Sequence, residues 1–393
     1  MTESRRGQKL VLRGGRVILS DDVLENATIT IVNGKIEAVS TLTRSITEGS
    51  LNLDLPGTTI LPGFIDIHIH GAVGVDTMAA SSDDLLAVSQ FLASRGVTGW
   101  LPTLVPASDD DYRAAVSAVD QAAREKGKGA RIVGLHYEGP FVNSAQCGAL
   151  HSTHFKTFAG PNDLNHLPLP QDSAAVRMIT VAPEIEGGLE LVKELKRRDW
   201  VISIGHTRAE LDVLDRAFAA GARHMTHFMN AMPQLHHRQP GPVGWGLSRE
   251  DVTFDLIADG VHIDPIVLRV LVRAKGTRGL SLISDAIAAA GKGDGDYDIW
   301  GETITVKDRR TRNASGNIAG SVITMLDAVR MMRSLGVSDV EIARMASLNP
   351  ARLLGLDNEC GSIEVGKRAD LVAIDQDGIV CLTVVGGEIV YRL

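Results

Sequence analysis

Six residues of this 393-residue sequence can bind divalent metals or move protons, and they share one context. His68, His70, Glu138, His206, His227 and Asp285 each stand at, or just beyond, the end of a short apolar run. Imidazole and carboxylate are the ligands that suit zinc, iron, manganese and related divalent ions. Brought together, four imidazoles and two carboxylates form a metal centre, and a divalent ion lowers the pKa of bound water toward neutrality. A carboxylate beside such a centre can serve as general base and then general acid. Each residue alone also has a structural reading. His68 and His70 alternate on one face and could be hydrogen-bonded core groups. Glu138 could cap a turn, although Pro140 offers no N–H to accept.

For six positions spread over more than two hundred residues to meet, the elements that carry them must open on one face. Eight apolar runs have strand character: 64–70, 98–103, 132–138, 178–184, 201–206, 224–230, 253–259 and 280–285. Amphipathic stretches at 83–94, 109–124, 188–197, 210–220 and 265–274 alternate with them. Strands alternating with helices predict a parallel sheet, and eight of them predict a closed (β/α)₈ TIM-like barrel with all C-terminal strand ends at one mouth.

The two ends of the chain read differently. Ala27 to Val32 and Lys35 to Val39 flank Asn33-Gly34, a hairpin signal because both turn positions take positive φ. Ala369 to Ile374 and Ile379 to Val385 are again β-rich. Neither end can cover a core alone. The expected organisation is therefore a small β-sandwich domain from residues 1–60 and 356–393, interrupted by a catalytic barrel over 61–355.

Composition narrows the partners. A formal charge of −8 without a basic run gives no footprint for nucleic acid or an anionic membrane. Cys147, Cys360 and Cys381 are an odd number without CxxC spacing, so neither a disulfide framework nor a thiolate zinc site is signalled. A polar start to the sequence and the lack of a spanning apolar run predict a cytoplasmic protein.

Longer motifs surround the six residues. Leu61 to Gly71 (LPGFIDIHIHG) has the first-strand pattern of the amidohydrolase superfamily. Glu138-Gly139-Pro140-Phe141, Gly205-His206-Thr207, His227 to Met232 (HFMNAM) and Ser284-Asp285-Ala286 resemble the N-acetylglucosamine-6-phosphate deacetylase family within it. So do Arg238-Gln239-Pro240-Gly241, Ala258 to His262 (ADGVH) and Ala319-Gly320-Ser321. The resemblance runs in order along nearly the whole chain.

That resemblance implies one divalent metal held by Glu138, His206 and His227, with His68 and His70 able to hold a second. Zinc is expected first, with iron, manganese, cobalt or nickel as alternatives. It implies that Asp285 is the catalytic acid and base, and that His151 or His136 could steady the oxyanion. It further implies that an amino-sugar phosphate is met by Ala149, His151, Asn230, Ala231, Ile318 and Ala319, with Arg238 and His262 on the phosphate. A homodimer is expected, because in the resembling family part of the phosphate clamp comes from the neighbouring subunit. The sequence departs from the family at Gly148-Ala149-Leu150-His151, where the family usually reads Gly-Ala-His. Leu150 cannot donate a hydrogen bond, so either His151 substitutes through a shifted loop or the sugar contact differs. The substrate readings left open are N-acetylglucosamine 6-phosphate, its galactosamine epimer and an unphosphorylated N-acetylhexosamine. An inactive sugar-phosphate-binding protein is the alternative of another class. A cyclic-amide hydrolase of the superfamily usually carries a metal-bridging lysine on the fourth strand, and 178–184 has none.

Overall fold

The computed structural model describes residues 9–41, 50–125 and 127–393. Residues 1–8, where the β-rich first segment was expected to begin, lie outside the described residues. All eight predicted barrel strands form: Phe64–Ile69, Val97–Leu104, Gly134–Glu138, Val176–Val181, Val201–Ile204, His224–Met225, Thr253–Ile257 and Leu280–Ile283. They lie side by side in chain order and pair in parallel. The ring closes just past the last strand, where the Asp285 N–H donates to the His68 carbonyl at 2.9 Å and the His70 N–H to the Ala286 carbonyl at 2.8 Å. Closure thus runs through the residues expected to do chemistry.

Six of the eight strands end earlier than the apolar runs suggested, the exceptions being Val97–Leu104 and Gly134–Glu138. The run 224–230 yields a strand of only two residues, His224–Met225. Beyond it the chain turns sharply, with positive φ at His227, Met229 and Ala231. Hydrophobicity alone cannot mark that turn, because Phe228 is buried whether or not it belongs to a strand.

The outer helices follow the amphipathic stretches. Asp109–Arg124 starts at Ser108, whose hydroxyl accepts from the Asp111 N–H, carries three aspartates in its first turn and buries Tyr112, Ala115, Val116 and Val119. Helices at Gly241–Ser248 and Met325–Ser334 complete the ring and were not anticipated. A three-stranded antiparallel insertion, Gly295–Ile299, Glu302–Lys307 and Arg310–Arg312, follows the last barrel strand and was likewise not anticipated.

The terminal segments meet as expected. Leu371–Ile374 pairs antiparallel with Thr59–Pro62, joining both ends of the chain in one eight-stranded sheet. Asn33 and Gly34 turn the predicted hairpin with φ of 50° and 77°. Leu10, Leu12, Ile29 and Ile31 from the first end pack with Leu371, Ala373, Leu382 and Val384 from the last in a cluster separate from the barrel core. Among the described residues no helix is long and apolar enough to cross a membrane.

Candidate active site and metal centre

The six residues converge at the mouth formed by the C-terminal strand ends. His68 lies on its strand and Glu138 ends one, whereas His206, His227 and Asp285 each come two residues after theirs. Those last three have φ of 48°, 29° and 50°. This left-handed region is costly for a residue with a Cβ and persists where surrounding bonds fix it. For His227 the bonds come from Asp255: its carboxylate accepts the His227 N–H and its carbonyl accepts the Phe228 N–H at 2.9 Å. The same carboxylate accepts from His224 Nε2 at 3.1 Å, and it is fully buried. Asp255 thus holds a strained histidine in place without facing the mouth. Asp255→Asn is expected to weaken metal affinity about 10- to 100-fold, as loss of an outer partner of a ligand commonly does. Metal titration beside kcat/KM would check this, and unchanged affinity would leave Asp255 a purely structural residue.

Around Glu138 the donor atoms crowd together. Its Oε1 is 2.9 Å from both His206 Nε2 and His227 Nε2, which lie 3.1 Å apart. Its Oε2 is 3.2 Å from His70 Nε2, itself 3.2 Å from His68 Nε2. Asp285 Oδ1 is 3.4 Å from His68 Nε2 and 3.3 Å from His70 Nε2. All six side chains are buried. Two trios result, Glu138 with His206 and His227, and Glu138 with His68 and His70.

Tautomer logic shows what the first trio lacks. His206 Nδ1 lies 2.8 Å from the Gln146 carbonyl, which can only accept, so Nδ1 carries the hydrogen. The Nε2 of the neutral ring then directs a lone pair at a carboxylate oxygen. Acceptors so placed need a cation between them. At His227, His68 and His70 the buried Nδ1 has no hydrogen-bond partner among the described residues, so only His206 has its tautomer set this way. Charge tells the same story on the other side. Burial opposes protonation of His70, yet the carboxylates of Asp285 and Glu138 push its pKa up to about 10. Burial would likewise raise Glu138, but His68 and the close imidazoles of His206 and His227 hold it well below the usual carboxylate range. Asp285 is also lowered: burial acts upward and is outweighed by His68 and His70. A buried group of two ionised carboxylates and four imidazoles fits one or two divalent cations.

The pocket above this centre is lined by Ala149, Asn230, Ala231, His262 and Ile318 as well as by the cluster. His262 donates from Nδ1 to Asp259 at 2.7 Å, which leaves Nε2 to face a ligand. Burial would raise Asp259, but the His262 contact holds it below its ordinary value. Ala319 is fully buried between Ile318 and Gly320, which line the wall. Three expected positions stand apart from the pocket. His151 is exposed and outside the wall, where Leu150 stands instead. Arg238 is exposed, with its guanidinium 3.1 Å from His237 Nε2. His136 lies beneath the centre with both ring nitrogens engaged, by Thr103 at 3.2 Å and Thr180 at 2.9 Å, so it has no free donor for an oxyanion.

Trp300 is the pocket residue that sequence reading missed. It sits on the turn of the antiparallel insertion, and its ring meets His70 edge to face at 5.2 Å. The signal was present in Trp300-Gly301 between two alternating runs, a two-residue hairpin pattern. The supporting pair Asp255–His224 was missed too, because a buried Asp and His on a strand read as apolar-run exceptions without a partner in view.

Comparison with known proteins identifies relatives over nearly the whole chain. The chain is 37% identical over 98% of each sequence to an N-acetylglucosamine-6-phosphate deacetylase of Bacillus subtilis (strain 168). It is 36% identical to an N-acetylgalactosamine-6-phosphate deacetylase of Escherichia coli O157:H7, over 93% of this chain and 95% of that one. Among solved structures it resembles a Mycobacterium smegmatis N-acetyl-D-glucosamine-6-phosphate deacetylase, a mutant in complex with N-acetyl-D-glucosamine-6-phosphate, with TM-score 0.89 and 32% identity over 98% of this chain and 100% of that one. It also resembles the Thermotoga maritima N-acetylglucosamine-6-phosphate deacetylase, with TM-score 0.87 and 33% identity over the same shares. The amidohydrolase family pattern spans residues 59–390, from the strand before the first histidine pair to the end of the closing sheet, and with the barrel, the shared Glu138 and the relatives it places this chain in the amidohydrolase family.

Proposed function

We infer that this protein hydrolyses the N-acetyl group of N-acetyl-D-glucosamine 6-phosphate, giving D-glucosamine 6-phosphate and acetate. The observation that carries the reading is the pair of ligand trios sharing Glu138 with Asp285 beside them, in a chain aligned end to end with deacetylases of that substrate. Glu138, His206 and His227 would hold the principal cation, and His68 with His70 offers a second place. A bound divalent cation supplies Lewis acidity, lowering the pKa of water and polarising the amide carbonyl.

The chain's own residues account for the proton movements. Asp285, ionised, takes a proton from the attacking water as its oxygen adds to the acetyl carbon. As the C–N bond breaks, Asp285 returns that proton to the leaving nitrogen, and the second water proton, left on the new carboxyl, is released to solvent, so amine and acetate depart. Asn230 and the backbone at Ala231 orient the sugar, while His262 meets the phosphate. Arg238 is exposed and does not line its own pocket. An exposed arginine there supports a homodimer in which it completes the partner's phosphate site. Zinc is the proposed metal, with iron, manganese, cobalt or nickel able to occupy the same ligands according to supply. The three cysteines, all free, and the absence of a spanning helix among the described residues accord with a cytoplasmic protein.

A second reading has its own support. The E. coli O157:H7 relative is named for the galactosamine epimer, and Leu150 alters the wall that a ring hydroxyl would meet. Acetate release from both 6-phosphates and both free sugars by metal-loaded protein decides among these. Turnover confined to N-acetylglucosamine 6-phosphate is expected. Preference for the epimer would reassign the sugar, and equal turnover of the free sugars would remove the phosphate clamp.

A further inference from the structure

We propose that Trp300 is a specificity-determining residue, its indole N–H donating to a ring hydroxyl of the bound sugar. The inference rests on the deacetylase reading and goes beyond it. Strands Gly295–Ile299 and Glu302–Lys307 pair with Ile299 opposite Glu302, so Trp300-Gly301 is a two-residue hairpin loop. Its φ values are 55° and 78°, the signs of a type I′ turn. Asparagine, aspartate and glycine favour the first position of such a turn, and a bulky side chain there is strained. The insertion therefore holds tryptophan where local preference opposes it, and strain of this kind gathers at functional sites.

The ring is a wall of the pocket. It meets His70 edge to face at 5.2 Å with the planes at 84°, and it packs against the cluster formed by Val105, Val142 and Leu150. Yet Trp300 Nε1 is buried with no hydrogen-bond partner among the described residues. A buried indole N–H ordinarily finds an acceptor. Trp100 donates to Ser89 and Trp245 to Asp215.

Elimination gives the occupant. The acetamide is handled by the metal cluster and Asp285, and the phosphate by His262. Outside those groups and Asn230, the lining side chains are Ala149, Leu150, Ala231, Ile318 and Trp300, and only the indole carries a donor. The acceptors of the substrate left for that wall are its ring hydroxyls.

The test compares Trp300→Phe, which keeps an aromatic ring and removes the N–H, with the unsubstituted protein on N-acetylglucosamine 6-phosphate and its 3-deoxy and 4-deoxy analogues. Loss of about 10- to 100-fold in kcat/KM on the parent is expected, the scale of one substrate hydrogen bond left unmade. On one deoxy analogue the two proteins should converge, which names the hydroxyl. An unchanged kcat/KM, or the same loss on all three substrates, would overturn the assignment. A second readout keeps Trp300 in place: adding N-acetylglucosamine 6-phosphate to ¹⁵N-indole-labelled Asp285→Asn protein should shift one of the four tryptophan N–H resonances, and no shift overturns the proposal. If the unsubstituted protein turns over no N-acetylhexosamine phosphate, the deacetylase reading itself fails, an outcome visible before any Trp300 variant is made.

Discussion

Replacing Asp285 with asparagine is expected to lower kcat about 10²- to 10⁴-fold, the span that a positioned general acid and base contributes. The expectation follows from where the carboxylate stands and in which form. Its Oδ1 faces His68 and His70 at 3.4 and 3.3 Å, and their influence overcomes the upward pull of burial to keep it ionised. An asparagine of the same shape can accept a hydrogen bond but cannot take a proton from water or pass one to a leaving amine. The backbone bonds that close the barrel at this point, from the Asp285 N–H to His68 and from the Ser321 N–H to the Asp285 carbonyl, do not depend on the side chain. Folding and the metal content at Glu138, His206 and His227 should therefore be retained. Acetate release and metal analysis on the same preparation check both halves. Activity within a few-fold of the unsubstituted protein would show that the proton is carried elsewhere.

What was legible in the sequence, and what was not, follows from the physics of each element. Barrel strands buried on both faces read as continuous apolar runs, so all eight could be found. The C-terminal limits of three could not, because His206, His227 and Asp285 turn the chain by adopting positive φ rather than by supplying glycine or proline. Sequence patterns register turns that use permissive residues and miss turns imposed by strain. The cluster itself was legible, since histidine and carboxylate at the ends of buried strands are expensive to place there without a ligand. The loop carrying Leu150 and His151 was not: which of the two enters the wall depends on a succession of short 3₁₀ turns at Ser144–Gln146, Ser152–His154 and Pro161–His166, whose sequence carries no periodicity. Nor was Trp300, which reaches the pocket only through tertiary folding of the insertion over the barrel mouth.

Glu138→Gln should have the broadest consequence of any single change, because Glu138 alone belongs to both ligand trios. The carboxamide keeps the volume of a residue that is 3% exposed and removes the charge that four imidazoles surround. One of its two polar atoms becomes a donor group, unfit to face a cation. Loss of metal affinity beyond about 100-fold is expected, more than the loss of an outer partner such as Asp255 would cause. Acetate release should disappear with it. The thermal midpoint should also stop responding to added metal, since a ligand stabilises only the state that binds it. Stoichiometry then separates the one-ion and two-ion readings. With two ions, the unsubstituted protein carries two and Glu138→Gln loses both, whereas His70→Asn keeps one. With a single ion at Glu138, His206 and His227, the unsubstituted protein carries one and His70→Asn leaves the count unchanged. In that case His68 and His70 serve the site beside Asp285, whose Oδ1 they face at 3.4 and 3.3 Å. A Glu138→Gln protein that still binds metal tightly would place the ligand set elsewhere and take the mechanism with it.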